Sequence, residues 1–497
     1  METADLRVTV GTGEGPAWLG LDLGTQGCRA VAVDEMGNQL TSARVALSGT
    51  RRAGRHEQDP AAWIAAVHDV LAQVSAALDG RSTGGVAICG TSGTIVMADG
   101  ELNPLTSGLM YDDARGAERV AELAEIWSDC AARNGYRIQP TWALAKLASL
   151  LRDRPELRGS HMFHVADYIG SVLAGRPVAT DWSHALKSGY DLVAERWPEA
   201  ELERAGIPVS LLPPVVRPGV VVGTVGGAAS SATGISCGTP IVAGMTDGCA
   251  SQIAAGTVRP GQWNCALGTT LVFKGVADRL IVDPDGAVYS HRHPDGGWLP
   301  GGASSSGAGA LATAFPDTEP AKLDQMAAPL LPTDLVSYPI SVPGERFPFV
   351  RPDAEPFRSS TPASEGELAA SLIQGVAFVE RLCLSHLADL GADTSGALSF
   401  TGGATNSELW NQTRVDVLGR EARLPRYPEA AFGMAVVAAS HGGSVADTAE
   451  RLVTQYRTVT PRDGATARWH EPYLAMVDQL ERRGYIRSSL ARAARAA

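Results

Sequence analysis

Two stretches far apart in the chain carry the same punctuation, and that repetition constrains the fold more than any other feature. The first runs Trp18-Leu-Gly-Leu-Asp22-Leu-Gly24-Thr25-Gln26-Gly-Cys-Arg-Ala-Val-Ala-Val-Asp34, and the second Gln262-Trp-Asn-Cys-Ala266-Leu-Gly268-Thr269-Thr270-Leu-Val-Phe-Lys274-Gly275. In each, an apolar run enters a glycine-bearing turn and a β-rich run leaves it, the pattern of a hairpin. Backbone N–H groups at such a turn can hold phosphate oxygens. Thr25 and Gln26 add donors, and Asp22 can anchor Mg²⁺ directly or through water. Taken alone, either stretch reads equally well as an ordinary hairpin. Aligning Leu23-Gly24-Thr25 with Leu267-Gly268-Thr269 puts Ala266 where Asp22 stands. A duplicated phosphate hairpin with one acidic copy predicts two lobes around one nucleotide, only one of which handles the metal.

At 497 residues the chain exceeds what one hydrophobic core usually supports, so two domains are expected. A net charge of −12 gives no invitation to nucleic acid or an anionic membrane, so neither is expected as a partner. Seven scattered cysteines form no Cys-Xaa-Xaa-Cys pair, and their odd number argues against a disulfide framework. No uninterrupted apolar segment is long enough to span a bilayer, and residues 1–15 lack the layout of a signal peptide. A reduced cytoplasmic protein with a loose N-terminus is the expectation.

Asp59 and Pro60 open a predicted helix over 61–78. A buried strand over 85–89 then delivers Gly90-Thr91-Ser92-Gly93-Thr94 to its end, the kind of loop that holds small ligands in open α/β sheets. Ser92 is therefore a candidate substrate residue, or a plain turn hydroxyl. In Tyr111-Asp112-Asp113-Ala-Arg115 the adjacent acids can grip sugar hydroxyls or form a solvated turn. His161, His164 and Asp167 recur every third residue of a predicted helix; with nothing nearby to complete a zinc site, a helix packed beside the substrate is preferred and no transition metal is assigned. The polar stretch 181–191 suits either a loop facing a polyol or a helix cap. Residues 206–240 read as connector.

Asp247, in Gly244-Met-Thr-Asp247-Gly248, falls where a short buried strand gives way to a small-residue helix. The helix N-terminus favours its ionised form, and an aspartate so placed can orient a hydroxyl and accept its proton as a bond to phosphorus forms, or simply cap the helix. Farther on, the 331–362 passage reads as an irregular excursion and 365–390 as an amphipathic helix. The latter leads to a strand ending in Thr401-Gly402-Gly403-Ala404-Thr405-Asn406, where an adenine can lie against backbone. No GxxxxGK[ST] phosphate loop occurs anywhere.

Leu21-Asp22-Leu-Gly24-Thr25-Gln26, Gly244-Met-Thr-Asp247, Leu267-Gly268-Thr269-Thr270 and Thr401-Gly402-Gly403-Ala404-Xaa-Asn406 together resemble, in order and spacing, the FGGY carbohydrate kinases. The resemblance implies an α/β fold of two actin-like (ribonuclease H-like) ATPase lobes with a central cleft. It implies an N-terminal lobe at 16–255, a C-terminal lobe at 256–445 and a helical segment at 446–497 that can pack back on the first. It also implies ATP and Mg²⁺ as cofactors, a small sugar as partner, and γ-phosphoryl transfer to a sugar hydroxyl. Asp247 takes the position of the catalytic base and also contacts the substrate with Ser92 and Asp113. Asp22 takes that of the metal-linked carboxylate, and Gly24, Thr25, Gln26, Gly268, Thr269, Thr270, Gly402, Gly403, Ala404 and Asn406 those of nucleotide-binding residues. A homodimer is compatible with all of this.

The substrate loops, among them 90–94, 181–190 and 343–348, resemble those of plant and cyanobacterial D-ribulose kinases, and the Met-His pair of xylulose kinases is missing from the first. Those ribulose kinases carry serine where Gln26 and Gly248 stand, and Asn-Gln where Asp112 and Asp113 stand. D-ribulose is the first expectation. Another ketose such as D-xylulose, a tetritol or glycerol is the nearest alternative, and an actin-fold ATP-binding sensor or chaperone is the alternative of another class.

Overall fold

A computed structural model describes residues 15–496; most of the stretch expected to be a loose N-terminus lies outside them. The described residues form two compact units. The first holds residues up to Val258 with His291–Gly296 and Tyr427–Thr454, and the second holds Arg259–Ser290, Gly297–Arg426 and the residues from Gln455 onward.

The first predicted hairpin forms the heart of the first unit. Strand β1 (Ala17–Gly24) pairs antiparallel with β2 (Gly27–Val33), Gly24 facing Gly27, so that Thr25 and Gln26 make a two-residue loop. Neither glycine adopts a left-handed backbone. Gly27 is needed for a different reason: a Cβ there would lie 2.6 Å from the Val45 carbonyl oxygen on the next strand. With β3 (Gln39–Ala46), β4 (Thr83–Gly90), β5 (Val221–Thr224) and β6 (Pro240–Val242), the sheet runs β5-β6-β4-β1-β2-β3, with β1, β4 and β6 parallel. The helix Pro60–Ala77 begins as predicted, with the Asp59 carboxylate accepting from Ala61 N–H, and buries Trp63, Val67, Val70 and Val74.

The second unit repeats this topology. Strands β7 (Trp263–Leu267), β8 (Leu271–Gly275), β9 (Trp298–Ala303), β10 (Leu398–Thr401), β11 (Ala422–Pro425) and β12 (Tyr456–Val459) lie in the order β9-β8-β7-β10-β11-β12. β7 is parallel to β10 and β10 to β11, while β7–β8, β8–β9 and β11–β12 are antiparallel. The helix Glu365–Asp389 is long and apolar enough to cross a membrane, yet 94% of its most apolar window is buried among the side chains of this unit. It is a core helix.

Several elements differ from their sequence reading. His161 lies on a short strand, His161–His164, and the helix begins only at Val165; His164 and Asp167 then form a reciprocal cap at its start rather than a metal face. The 206–240 stretch supplies the edge strand β5 and a helix, Gly227–Thr233. The helix Ala430–Ala439, placed by sequence inside the 256–445 lobe, belongs to the first unit instead. It packs so closely that a Cβ on Gly20 of β1 would sit 1.8 Å from the Ala431 carbonyl oxygen, and one on Gly433 would sit 2.0 Å from that of Ala250. Being apolar on every side, it carries no amphipathic stripe to say which sheet it covers.

Candidate active site

At the carboxyl ends of the parallel strands of the first unit, three chain segments lie side by side. Asp22 on β1 pairs with Cys89 on β4, and Gly90 at the end of β4 bridges Thr246, which is the N-cap of the helix Asp247–Ala254. Asp22 and Asp247 are therefore about two strand spacings apart, roughly 10 Å between backbones. Ligands in open α/β sheets collect at this edge.

The Asp22 carboxyl is raised to about 6, first by burial and then by the negative charge of Asp247; Cys89, Arg29 and Arg44 act in the opposite direction. Its hydrogen-bond partner is the weak donor Cys89 Sγ at 3.5 Å. A half-buried carboxylate with so feeble a donor and a second carboxylate nearby is poorly neutralised by protein groups, which fits a hard divalent cation such as Mg²⁺. Arg29 faces Asp22 across β1–β2, and Arg44 faces Arg29 across β2–β3. The sequence reading passed over Arg29, although Asp22 and Arg29 stand equally far from the Gly24 to Gly27 turn and so must oppose each other. At the turn, the carbonyls of Thr25 and Gln26 accept from Gln58 Nε2 (2.7 Å) and Leu47 N–H (3.0 Å).

Asp247 opens its helix as the first helical residue, its Oδ1 accepting from Gly248 N–H at 2.7 Å. The preceding peptide is held by a relay: Thr246 N–H donates to Ser183 Oγ (2.9 Å), and Ser183 Oγ–H donates to Asp181 Oδ1 (2.5 Å). Asp181 Oδ2 takes His184 Nδ1–H at 2.5 Å, and all three side chains are buried. Burial opposes a charge on His184, but Asp181, with Asp167 and Asp247 farther off, raises it to about 9. The stretch read as a polyol loop is therefore a buried support behind Asp247, capped at Asp181 as the alternative reading had it.

Ser92 sits in the loop leaving β4, and its Oγ is buried without a hydrogen-bond partner among the described residues. Its carbonyl accepts from Lys187 Nζ at 3.3 Å, and the carbonyl of Gly93 accepts from Lys146 Nζ at 2.6 Å. Asp113 differs from expectation. It is fully buried, with Oδ1 taking Arg115 N–H and Nε–H and Oδ2 taking His56 N–H and Arg115 Nη2–H. With both oxygens engaged by the protein, it braces its turn instead of presenting a carboxylate to a sugar.

The second unit gathers the other predicted residues. Ala266 on β7 pairs with Thr401 on β10, which brings Gly268-Thr269-Thr270 beside Gly402-Gly403-Ala404 and Asn406. Gly402 has φ +87°, and a Cβ there would lie 2.4 Å from the Leu267 carbonyl oxygen, so only glycine fits. At Gly268 and Gly403 an added Cβ would meet no protein atom within 4 Å. Gly307 and Gly309 pack on Thr269: a Cβ on either would lie within 2.9 Å of the Thr269 carbonyl oxygen. The open glycine faces and exposed Thr269 and Asn406 suit close approach of a nucleotide to backbone.

Known proteins share this architecture. Residues 17–254 match the model for the FGGY family of carbohydrate kinases, N-terminal domain, and residues 263–441 that for the C-terminal domain. A xylulose kinase of Streptomyces rubiginosus is 30% identical over 440 residues, covering 86% of this chain and 88% of that protein. An autoinducer-2 kinase of Escherichia coli K12 is 28% identical over 484 residues, covering 89% and 90%. The solved structure of a xylulose kinase from Rhodospirillum rubrum superposes with a TM-score of 0.85 at 26% identity, covering 94% of this chain and 98% of that one. These neighbours have the two-domain actin-like ATPase fold that the family resemblance implies. The chain belongs to the FGGY family of carbohydrate kinases.

Proposed function

We propose that this ATP-dependent carbohydrate kinase phosphorylates the terminal hydroxyl of a 2-ketopentose, with D-ribulose as the first substrate and D-ribulose 5-phosphate as its product. The observation that carries the reading is the placement of Asp247 at the start of a helix, one strand beyond the Ser92 loop and two beyond Asp22. Asp247 orients the sugar hydroxyl and takes its proton as the oxygen attacks phosphorus. ATP supplies the phosphoryl group, and Mg²⁺ supplies the charge neutralisation its transfer needs. Asp22 holds the metal, and Arg29 and Arg44 extend the positive field along the same sheet edge. Gly24, Thr25 and Gln26 contact nucleotide through backbone N–H groups and hydroxyls, as do Gly268, Thr269, Thr270, Gly402, Gly403, Ala404 and Asn406. Ser92 Oγ, with no partner of its own, hydrogen-bonds the sugar.

D-xylulose is the second reading, favoured by relatives such as the 30%-identical xylulose kinase. The test is sugar-stimulated ADP release across D-ribulose, D-xylulose, L-ribulose, erythritol and glycerol. The proposal expects kcat/KM for D-ribulose to exceed that for glycerol by at least about a hundredfold, the discrimination that a site built to hydrogen-bond additional hydroxyls provides. Preference for D-xylulose over D-ribulose selects the second reading, and ATP turnover untouched by any of these sugars rejects both.

A further inference from the structure

Lys146 is the most anomalous buried group outside the site described above. It lies on the helix Ala143–Asp153, with no exposed surface, in the apolar run Ala143-Leu-Ala-Lys146-Leu-Ala-Ser-Leu-Leu. Among the described residues its amine meets no carboxylate; it donates to two backbone carbonyls, Gly93 O at 2.6 Å and Met110 O at 2.7 Å. Burial lowers its pKa to about 7, with Lys187 and Arg115 adding to the effect and Asp113 and Asp112 opposing it. A lysine is an expensive way to fill a helix face that is otherwise apolar, so its two hydrogen bonds must account for its presence.

Those bonds join the loop before Ile95 to the turn after Leu109, just beyond the point where Ile95 and Leu109 pair as antiparallel strands. Gly93 follows Ser92 in the loop at the end of β4, where its φ of +96° turns the chain, and the neighbouring Ser92 carbonyl is held by Lys187. Successive carbonyls of this loop are thus drawn inward by two ammonium groups from different helices, which fixes the peptide that carries the unpartnered Ser92 Oγ. Met110 begins the turn containing Asp112 and Asp113, and its carbonyl also accepts Asp113 N–H at 3.0 Å. Two bonds from a single nitrogen set the separation of loop and turn directly, because both carbonyls must lie within hydrogen-bond reach of the same atom.

We propose that Lys146 is a positioning residue that fixes the 91–94 loop against the 110–113 turn and thereby sets the affinity for the sugar. This rests on the reading that the 91–94 loop contacts the sugar. The lysine touches no substrate, so its removal acts on KM for sugar and leaves nucleotide binding alone.

The test compares the full-length wild type with Lys146→Met and Lys146→Gln. Methionine fills the volume without donating, while glutamine retains two amide donors on a shorter stem. Lys146→Met should raise sugar KM at least about tenfold, with kcat and ADP affinity within threefold of wild type and melting temperature unchanged or higher. Lys146→Gln should recover part of the loss. In hydrogen exchange without substrate, 90–94 and 108–113 should lose protection together in the methionine variant while β1 keeps its own. A sugar KM within twofold of wild type in the methionine variant overturns the proposal. Should that variant not fold, a sugar KM within twofold in the glutamine variant overturns it equally. If the wild type phosphorylates no sugar, the functional reading falls, and exchange decides Lys146: joint loss of protection supports the clamp, and an unchanged or one-sided pattern overturns it.

Discussion

Asp22 and Asp247 are separated by 225 positions in sequence yet lie at the same edge of one sheet, on either side of the end of β4, near enough that the charge of Asp247 is the second-largest influence, after burial, raising the Asp22 carboxyl to about 6. Two carboxylates so placed repel each other unless a cation joins them, and that conflict is the physical core of the proposed site.

The first prediction concerns this conflict. Because the folded pKa of Asp22 is raised above its ordinary 3.8, its stabilising contribution is complete below about pH 3.8 and is lost as pH rises through about 6. At pH 7 without metal the ionised carboxylate is a burden. Asp22→Asn should therefore raise the melting temperature in chelator-treated buffer at pH 7, and the rise seen on adding Mg²⁺ to the wild type should disappear. Turnover should fall about 10²–10³-fold. Calorimetric scans with and without Mg²⁺, at pH 4.5 and 7, check each part.

A second prediction addresses the support behind Asp247. Ser183→Ala removes the acceptor for Thr246 N–H and leaves an oxygen of Asp181 without one of its donors, while Ser183→Thr keeps both bonds. Steady-state kinetics should show kcat falling about tenfold in the alanine variant with little change in ATP KM, and recovery in the threonine variant.

The imidazolium of His184 gives a pH signature of its own. Its folded pKa is raised from 6.5 to about 9, so the stability it contributes is fully present below about pH 6.5 and lost as pH rises through about 9. The gap in unfolding free energy between wild type and His184→Gln should shrink steadily across that window in denaturant titrations. Asp181→Asn, which strands a buried charge, should cost about 3–5 kcal/mol at pH 7.

In the second unit two neighbouring glycines should behave oppositely. Gly402→Ala places a Cβ 2.4 Å from the Leu267 carbonyl oxygen at φ +87°, so it should lower the melting temperature. Gly403→Ala meets no protein atom within 4 Å and should leave it unchanged, while ADP affinity measured by calorimetry should fall in both.

How far the sequence revealed this molecule follows from the range over which each signal acts. The hairpin at Gly24 to Gly27 and the Asp59 cap are set by adjacent residues, and both were readable as written. Asp247 was legible because a strand, a glycine and a helix start converge on it. Its support was not. Asp181, Ser183 and Thr246 meet only after the chain has folded, and Asp113, an acid beside an arginine in sequence, showed its buried bracing role only when His56 N–H arrived from another strand. Lys146 was invisible for the same reason: its partners are carbonyls, which every residue possesses. The uniform apolarity of the helix Ala430–Ala439 leaves the sheet it covers undetermined by sequence.

The measurement that bears most directly on the whole account is single-turnover phosphoryl transfer to the preferred sugar by Asp247→Ala. Loss of about 10²–10⁴-fold in the rate, with ADP and sugar affinities within threefold of wild type, is the predicted result. A rate near that of the wild type would contradict the role given to Asp247 and with it the chemistry assigned to this edge of the sheet.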